Sequence, residues 1–380
     1  MGTTDAAERG ERNIAFFSRK GGERFKSRKN MSRTDNNDTA MNNPRNPIRI
    51  SIVVPVYNRP DETDALLSSI AAQKENGLDY QVVIVEDGSS VTSQQVCEKW
   101  SDKIPVRYFY TENSGPGDSR NYGMERAEGD YFVILDSDVL LPEHYFATLE
   151  RILSRTNVPD AFAGPDCAHS SFTDVQKAIN YAMTSFLTTG GLRGGSKANL
   201  SGRRQLRSFN MVVSARAFRI AGGFAHQRVG EDIEYTQRLW RNDLLTAWYP
   251  ELYVYHKRRD TLGQFFRQTM AFGRARPILN RMFPGTARLT YLFPSFFLVF
   301  MVISLLGGLL SPVVAAPLGV YLAAILVSSW AMNRSFSVGV LSVAAAVVQF
   351  TGYGWGFIYT NFRMLYLDDV DKVFPYMFKH

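Results

Sequence analysis

The stretch DYFVILDSDVLLP, residues 130–142, joins a strongly apolar run to two aspartates that flank a single serine. An apolar run of this length and composition predicts a buried strand, with Asp136 and Asp138 at its carboxyl end. Two carboxylates so close repel each other by about 4 kcal/mol at ~4 Å and an effective dielectric constant of ~20, so a compensating cation is expected. Hard oxygen ligands suit Mg²⁺ or Mn²⁺. Two solvated turn carboxylates are the alternative.

Short apolar runs alternate with helical patterns over residues 47–258. This alternation predicts strands joined by crossover helices, as in an α/β sheet. The other strand candidates are RISIVVPVY (49–57), QVVIVEDG (81–88) and VRYFY (106–110), and the helix candidates are DETDALLSSIAAQ (61–73) and SRNYGMERA (119–127). Because the runs are rich in Val and Ile and end in polar residues, we expect buried parallel strands whose carboxyl ends form a ligand-binding edge.

Two strand ends carry polar side chains suited to a nucleotide. SIVVPVYNRP would deliver Tyr57, Asn58 and Arg59 to the sheet edge, although a strand followed by a capped helix has the same pattern. VIVEDGSS places Glu86 and Asp87 at another strand end, where a carboxylate can accept hydrogen bonds from a base N–H or a ribose hydroxyl. An acidic residue before glycine is as often a helix cap or turn former, so each motif alone leaves two interpretations open.

GEDIEYTQRLWR, residues 230–241, places Glu231 and Asp232 at the start of a predicted helix. Acidic residues at this position commonly interact with the helix dipole. The functional interpretation makes Asp232 the general base that takes a proton from an acceptor hydroxyl, with Glu231 as a second catalytic candidate. Trp240 would offer a stacking surface for a sugar, although an aromatic at helical spacing is more often part of the core.

A glycine- and arginine-rich stretch, residues 184–211, lies between the paired aspartates and this helix. Its glycine N–H groups and cationic side chains would form a nest for a lipid phosphate or a donor diphosphate. The candidate acceptor-binding residues are Gly191, Arg193, Asn210 and Trp240. An ordinary flexible surface loop is the alternative.

The charge balance indicates which kinds of partner to expect, and the cysteines indicate the compartment. Lys and Arg outnumber Asp and Glu, 43 to 36, and the basic residues next to an apolar tail favour anionic lipid as the partner. No aromatic-rich basic module is visible in the sequence, so we expect no nucleic-acid partner. Cys97 and Cys167 lack metal-ligand spacing and fit a reducing compartment.

Four segments flank or follow the α/β domain. Residues 1–46 are polar and basic, which predicts disorder, and they lack the apolar core of a signal peptide. Residues 259–290 mix Arg with Phe, Met and Leu and are predicted to lie on a membrane surface. Residues 291–360 are predicted to form three transmembrane helices, because each apolar run is near the roughly 20 residues that cross about 30 Å of hydrocarbon. The runs are residues 292–310, 312–332 and 336–359, and residues 361–380 form an acidic tail.

The positive-inside rule predicts the orientation of these spans. The basic residues before the first span are Lys257, Arg258, Arg259, Arg267, Arg274, Arg276, Arg281 and Arg288. We therefore expect an integral protein of the inner (cytoplasmic) membrane with its catalytic domain on the cytoplasmic face. Since the first two spans are short and contain Pro312 and Pro317, a re-entrant hairpin is the alternative.

In their order, these motifs resemble the family-two glycosyltransferases with the GT-A fold. The resemblance covers roughly residues 48–256, and its motifs are SIVVPVYNRP, VIVEDGSS, GPGDSRNYG, LDSD with its DxD pattern, FNM, AGGF, GEDIE and VYHKRR. The resemblance implies an α/β, Rossmann-like nucleotide-diphospho-sugar transferase domain followed by C-terminal transmembrane helices.

The resemblance also implies roles for individual residues. The donor-binding candidates are Pro55, Tyr57, Asn58, Arg59, Glu86, Asp87, Arg120, Asp136 and Ser137. Asp136 and Asp138 would serve the diphosphate through Mn²⁺ or Mg²⁺, with His256 either a third metal ligand or a strand-end histidine. Asp232 would be the base of an inverting displacement.

The implied function is inverting, metal-dependent transfer of a sugar from a nucleotide-sugar donor, UDP-linked by preference, to a lipid-linked acceptor in envelope glycan biosynthesis. A processive polysaccharide synthase and a non-catalytic nucleotide-sugar-binding membrane module are the alternatives. Processive synthases of the family carry a QxxRW motif, and QRLWR at residues 237–241 departs from it. The sugar itself is not readable, because epimers are discriminated by a few pocket contacts.

Overall fold

Ten strands and fourteen helices occur within residues 48–73, 77–190 and 204–378, the part of the chain that the computed structural model describes. The strands are β1 Arg49–Val56, β2 Asp79–Asp87, β3 Val106–Thr111, β4 Tyr131–Leu135, β5 Val139–Leu140, β6 Ala161–Ala163, β7 Asp166–Cys167, β8 Asn210–Ser214, β9 Thr246–Trp248 and β10 Val254–His256. The helices are α1 Pro60–Ala71, α2 Gln94–Ser101, α3 Pro116–Arg126, α4 Tyr145–Leu153, α5 Asp174–Thr184, α6 Phe186–Thr189, α7 Ala215–Ala221, α8 Glu231–Arg241, α9 Leu262–Met282, α10 Phe293–Gly308, α11 Pro312–Asn333, α12 Phe336–Arg363, α13 Val370–Val373 and α14 Pro375–Phe378. The predicted disordered segment, residues 1–46, lies outside the described residues.

A seven-stranded sheet in the order β3-β2-β1-β4-β8-β6-β9 forms the centre of the domain. The four strands predicted from the sequence are β1 to β4, and they are adjacent and parallel, with Ile52 paired to Val82 on one side and to Val133 on the other. Strand β8 runs antiparallel to both β4 and β6. The prediction of an α/β domain followed by apolar helices is confirmed.

The sheet is covered on both faces, which explains why its central strands are apolar without alternation. On one face Ile52 and Val54 pack with helices α1, α2 and α4. On the other, Val53, Val83 and Val85 pack with α3, α7 and α8. Both faces are closed to solvent, so only the strand ends remain open to a ligand.

The chain after β4 leads directly into a second, three-stranded sheet in the order β5-β10-β7. Strand β5 begins immediately after Asp138, and its pairing with β10 sets Val139 opposite His256. This register brings the end of β10 beside the paired aspartates, although more than a hundred residues separate them in sequence.

The C-terminal region forms the three apolar helices that the sequence predicts. Within the described residues, α11 and α12 are long and apolar enough to cross a membrane. Helix α10 has 16 residues. At 1.5 Å per residue it measures about 24 Å, which is shorter than the roughly 30 Å of bilayer hydrocarbon.

Helix α9, which lies in the segment predicted to rest on a membrane surface, packs against α12. Its glycine Gly273 lies against the backbone of Tyr353 in α12, and Gly352 and Gly356 of α12 lie against the α9 backbone. The side chain of Phe265 is fully buried. Small residues let the two helices approach closely, so α9 is packed on one side by α12; contact with lipid stays a prediction.

Candidate active site

A cavity of about 1600 Å³ opens at the carboxyl edge of the large sheet and extends to α9 and the start of α10. Asp136, Asp138 and Asp232 all line it. Single-ligand pockets typically measure about 300–1,000 Å³, so the volume has room for two substrates. The paired aspartates and the candidate base therefore share one hollow, as the sequence motifs predict.

Three side chains at the floor of the cavity are placed to hold a metal ion. Ligand atoms of Asp136, Asp138 and His256 all lie within 4.8 Å of one another. Nε2 of His256 lies 3.1 Å from Oδ1 of Asp138. Nδ1 of His256 is buried and has no hydrogen-bond partner among the described residues. Two carboxylates and an imidazole form a donor set that fits a divalent cation.

The ion pairs around Asp138 control its protonation. Burial raises the pKa of Asp138, but His256 and then Arg59 outweigh burial, and the net pKa lies below its usual range. Nη1 of Arg59 lies 2.6 Å from Oδ2 of Asp138. Burial lowers the pKa of His256, whereas Asp138 raises it, and the net shift is upward. Asp138 is thus held between the imidazole of His256 and the guanidinium of Arg59.

Arg120 connects the two acidic motifs. Its side chain is 3% exposed, its Nη2 lies 2.7 Å from Oδ1 of Asp136, and its Nη1 lies 2.9 Å from Oε1 of Glu231. Burial lowers the pKa of Arg120, but Asp136 and Glu231 reverse the shift and raise it. The guanidinium therefore stays charged and connects α3 to the end of β4 and to the start of α8.

The two acids that begin α8 have different surroundings. Burial and the charge of Asp232 raise the pKa of Glu231 to about 7, against the lowering effect of Arg120. Asp232 lines the cavity, and its Oδ2 lies 3.4 Å from Nη1 of Arg207. Gly230 before them has a φ of 77°, a left-handed conformation that favours glycine. This turn presents Asp232 to the cavity and Glu231 to Arg120.

Five of the predicted donor-binding residues line the cavity beside Arg120 and Asp136, namely Pro55, Tyr57, Arg59, Asp87 and Ser137. The side chain of Tyr57 is 52% exposed and is open to a base or a ribose. The carboxylate of Asp87 also accepts hydrogen bonds from the N–H groups of Ser114 at 2.8 Å and Gly115 at 3.1 Å. Asp87 thus fixes the loop that leads into α3.

Two predicted donor-binding residues, Glu86 and Asn58, lie outside the cavity lining and make hydrogen bonds within the fold. Glu86 is fully buried outside the cavity lining and accepts a 2.7 Å hydrogen bond from the N–H of Ser93. Asn58, at a positive φ of 54°, accepts a 2.9 Å hydrogen bond from the N–H of Val91. Their polar atoms hold the turns after β1 and β2 together, and donor contacts by these two residues stay a prediction.

Two predicted acceptor-binding residues, Asn210 and Trp240, lie outside the cavity lining, and their contact with an acceptor stays a prediction. Asn210 is fully buried, accepts a hydrogen bond from Tyr145 at 2.7 Å and donates one to the carbonyl of Leu252 at 2.6 Å. Nε1 of Trp240 donates to Thr246 at 2.8 Å, and the indole is not part of the cavity lining. Gly191 and Arg193 lie outside the described residues.

Sequence motifs missed the arginines that α9 contributes to the cavity. Arg267, Arg274 and Arg276 line its wall opposite the sheet. The available signal was a helix of 21 residues with several arginines and no acidic side chain. Helix α9 therefore also forms part of the cavity wall, which the prediction of a membrane-surface segment did not include.

Comparison with known proteins agrees with this architecture. Residues 51–213 match the family described as glycosyl transferase family 2. Poly(ribitol-phosphate) beta-N-acetylglucosaminyltransferase TarS of Staphylococcus aureus strain Mu50 is 34% identical over 93 residues, which are 24% of this chain and 16% of TarS. Glycosyltransferase YibD of Escherichia coli K12 is 25% identical over 233 residues, 58% of this chain and 64% of YibD.

Among solved structures, mannosyltransferase PcManGT from Pyrobaculum calidifontis, in complex with GDP-Man and Mn²⁺, superposes with a TM-score of 0.49 at 16% identity, over 82% of this chain and 88% of that one. The chain spans about a sixth of the length of TarS. The family match covers most of the strands whose carboxyl ends border the cavity. Residues 51–213 are therefore the part of the chain that matches glycosyl transferase family 2.

Proposed function

We propose that this chain transfers a sugar, with inversion, from a nucleotide-sugar donor to a membrane-associated acceptor, and that the transfer depends on a divalent cation. The observation that carries the proposal is the shared cavity of Asp136, Asp138 and Asp232. A diphosphate leaving group and a general base must face the same anomeric carbon, and a single hollow meets this requirement.

The donor occupies the sheet edge in this proposal. The nucleoside lies against Tyr57 and Asp87, and the diphosphate lies over Ser137 beside the paired aspartates. Arg120, which already contacts Asp136, orients that carboxylate toward the diphosphate. A UDP-linked sugar is the first donor to test.

Asp136, Asp138 and His256 would hold the cation, Mn²⁺ or Mg²⁺. A divalent cation bound there would neutralise the charge that develops on the departing nucleoside diphosphate. The three residues fit this role because their ligand atoms converge and Nδ1 of His256 has no other partner among the described residues.

Asp232 acts as the general base. It takes the proton of an acceptor hydroxyl while that oxygen forms its bond to the anomeric carbon, and the bond between this carbon and the diphosphate breaks with its electron pair on the leaving oxygen. Because attack and departure are on opposite faces, the configuration inverts. Glu231 is a positioning residue, since its carboxylate is bound to Arg120.

The acceptor is lipid-linked in this proposal, and α11 and α12 anchor the chain in the inner membrane. Two apolar helices and an arginine-rich α9 support this arrangement. The positive-inside rule puts the cavity on the cytoplasmic face. TarS, a relative that matches part of the domain, is named for poly(ribitol-phosphate), and envelope glycan synthesis is the pathway class we propose.

The test is a screen of nucleotide sugars against membrane-extracted acceptors, with the full chain in detergent, Mn²⁺ present, and mass spectrometry of the products. We expect one sugar added to a lipid-linked product. Long glycan chains would indicate a processive synthase instead. If the chain binds the donor but neither transfers its sugar nor hydrolyses it, the chain is a binding module and the enzyme assignment is refuted.

A further inference from the structure

The charges that line the cavity are unevenly distributed. Each acidic side chain in the lining already contacts a cation or a backbone N–H group. The partners are Lys257 for Glu62 and Asp260, backbone N–H groups for Asp87, Arg120 for Asp136 and Glu231, Arg59 for Asp138, Arg258 for Asp166, and Arg207 for Asp232. The wall formed by α9 adds Arg267, Arg274 and Arg276 and no acid. Positive charge therefore exceeds negative charge at the α9 end.

Arg276 is the most deeply buried cation of this wall. It is 9% exposed, and among the described residues it makes no ion pair and no hydrogen bond. Its guanidinium carbon lies 4.2 Å from the ring centroid of Tyr291, itself 8% exposed. Burial of a cation without a counter-charge is costly, so a guanidinium held in this way is suited to an anionic ligand.

The surroundings of Arg276 lead from the cavity to the apolar helices. Tyr291 ends the short helical turn Leu289–Tyr291, directly before α10. Leu289 and Phe293 line the same cavity and are 85% and 43% exposed. The cavity that Arg276 lines therefore also includes exposed apolar side chains at the beginning of the apolar region.

We propose that Arg276 forms a subsite for the phosphate group of an amphiphilic acceptor, whose apolar chain leaves the cavity over Leu289 and Phe293. This inference rests on the proposed function, because it concerns the acceptor of the same site. The phosphate is the anchor and not the nucleophile: a hydroxyl further along the acceptor reaches Asp232. Arginine suits this role because its planar guanidinium can donate two hydrogen bonds to a phosphate while its face stacks on Tyr291.

The inference is tested by binding, without sugar transfer. The full chain is placed in phosphatidylcholine nanodiscs, and its affinity for farnesyl phosphate is compared with that for farnesol and for inorganic phosphate. We expect farnesyl phosphate to bind at least about tenfold more tightly than farnesol, the factor that corresponds to one charge-assisted hydrogen bond. Equal affinities for farnesyl phosphate and farnesol would overturn the inference.

Variants assign the effect to Arg276. We expect Arg276→Ala to weaken farnesyl phosphate binding by about tenfold or more and Arg276→Lys to restore part of it. Arg281→Ala is the matched control, because Arg281 is on the same helix, 42% exposed, and paired with Asp368 outside the cavity. Undiminished binding by a folded Arg276→Ala variant, or by Arg276→Gln if the alanine variant does not fold, would overturn the inference.

Competition experiments distinguish an acceptor phosphate from a membrane headgroup and from free phosphate. If phosphatidylglycerol in the nanodisc, or free phosphate, displaces farnesyl phosphate at equal concentration, the subsite takes a membrane headgroup or a bare anion and the acceptor assignment is wrong. Binding of a UDP-sugar with Mn²⁺ is measured on the same samples. If the wild-type chain binds the UDP-sugar but not farnesyl phosphate, only the subsite is refuted. If it binds farnesyl phosphate but not the UDP-sugar, only the proposed transferase function is refuted.

Discussion

Nη1 of Arg120 lies 2.9 Å from Oε1 of Glu231, and this ion pair joins helix α3 to the first residue of helix α8 across the cavity. The same guanidinium contacts Asp136 at the end of β4. The positions of the candidate metal ligand and the candidate base thus depend on one buried arginine, which makes Arg120 a sensitive point for both stability and transfer.

Arg120→Ala should destabilise the domain. Removing one partner of a buried ion pair leaves uncompensated charge and costs about 3–5 kcal/mol. Urea unfolding of the full chain in detergent, followed by tryptophan fluorescence, measures the change. Arg126→Ala on the same helix is the control, and because Arg126 is 39% exposed it should change stability by less than about 1 kcal/mol. Equal effects of the two variants would contradict the proposed role of Arg120.

Asp232→Asn should abolish transfer and leave donor affinity nearly unchanged. The amide cannot take the acceptor proton, and general-base catalysis typically contributes about 100-fold or more. Single-turnover transfer and donor binding, measured on the same preparation, separate the two effects. Asp243→Asn is the matched control: Asp243 is exposed just beyond α8 at a φ of 54°, a conformation that asparagine tolerates. Near-normal transfer by Asp232→Asn would show that the base lies elsewhere.

Removal of the cation should stop turnover of the donor. We expect a chelator to abolish donor hydrolysis and transfer and added Mn²⁺ or Mg²⁺ to restore them, because Asp136, Asp138 and His256 converge on one position. Asp136→Ala and Asp138→Ala should raise the Mn²⁺ concentration needed for half-maximal activity. Asp102→Ala, an exposed position after α2, should not. Full activity of the wild-type chain in excess chelator would rule out metal dependence.

As pH rises, the wild-type chain should become less stable than the Glu231→Gln variant. Burial raises the pKa of Glu231 from 4.5 to about 7, so the folded state binds this proton more tightly than the unfolded state does. The stabilisation is complete below pH ~4.5 and is lost as pH rises through ~7. Between about pH 4 and about pH 8, the thermal midpoint of Glu231→Gln should therefore rise relative to that of the wild type as the pH increases. The control Glu98→Gln, at an exposed position on α2, should have the same thermal midpoint as wild type at every pH. A difference in midpoint between wild type and Glu231→Gln that does not change with pH would contradict the shifted pKa.

Gly273→Ala should loosen the contact between α9 and α12. A Cβ atom at this position would overlap the carbonyl oxygen of Tyr353, and overpacking of this kind costs about 1–3 kcal/mol. Gly263→Ala is the control on the same helix, since a Cβ there meets nothing within 4 Å and alanine favours the helix. Thermal unfolding in detergent compares them. If Gly273→Ala is as stable as Gly263→Ala, the two helices are not packed in the way described.

The β strands and the acidic motifs were predictable because both are local. A run such as YFVIL can satisfy its apolar side chains only inside a sheet, and the polar residues that follow it must then stand at an edge. The same local reasoning could not separate Asp87, which lines the cavity, from Glu86 beside it, which is buried among turn N–H groups. Consecutive residues of a strand point to opposite sides, and only the packed turns decide which side is the site.

The amino-acid sequence by itself determined the α/β class, the order of the motifs, the apolar C-terminal helices and the identity of the acids at the strand ends, because periodicity and composition act over a few residues. Tertiary structure alone decided which distant groups meet. It paired β10 with β5, which brought His256 to Asp138, and it placed Arg120 between Asp136 and Glu231. It also turned Arg276 toward the cavity. These contacts depend on register and helix packing over long sequence separations, which no local pattern encodes.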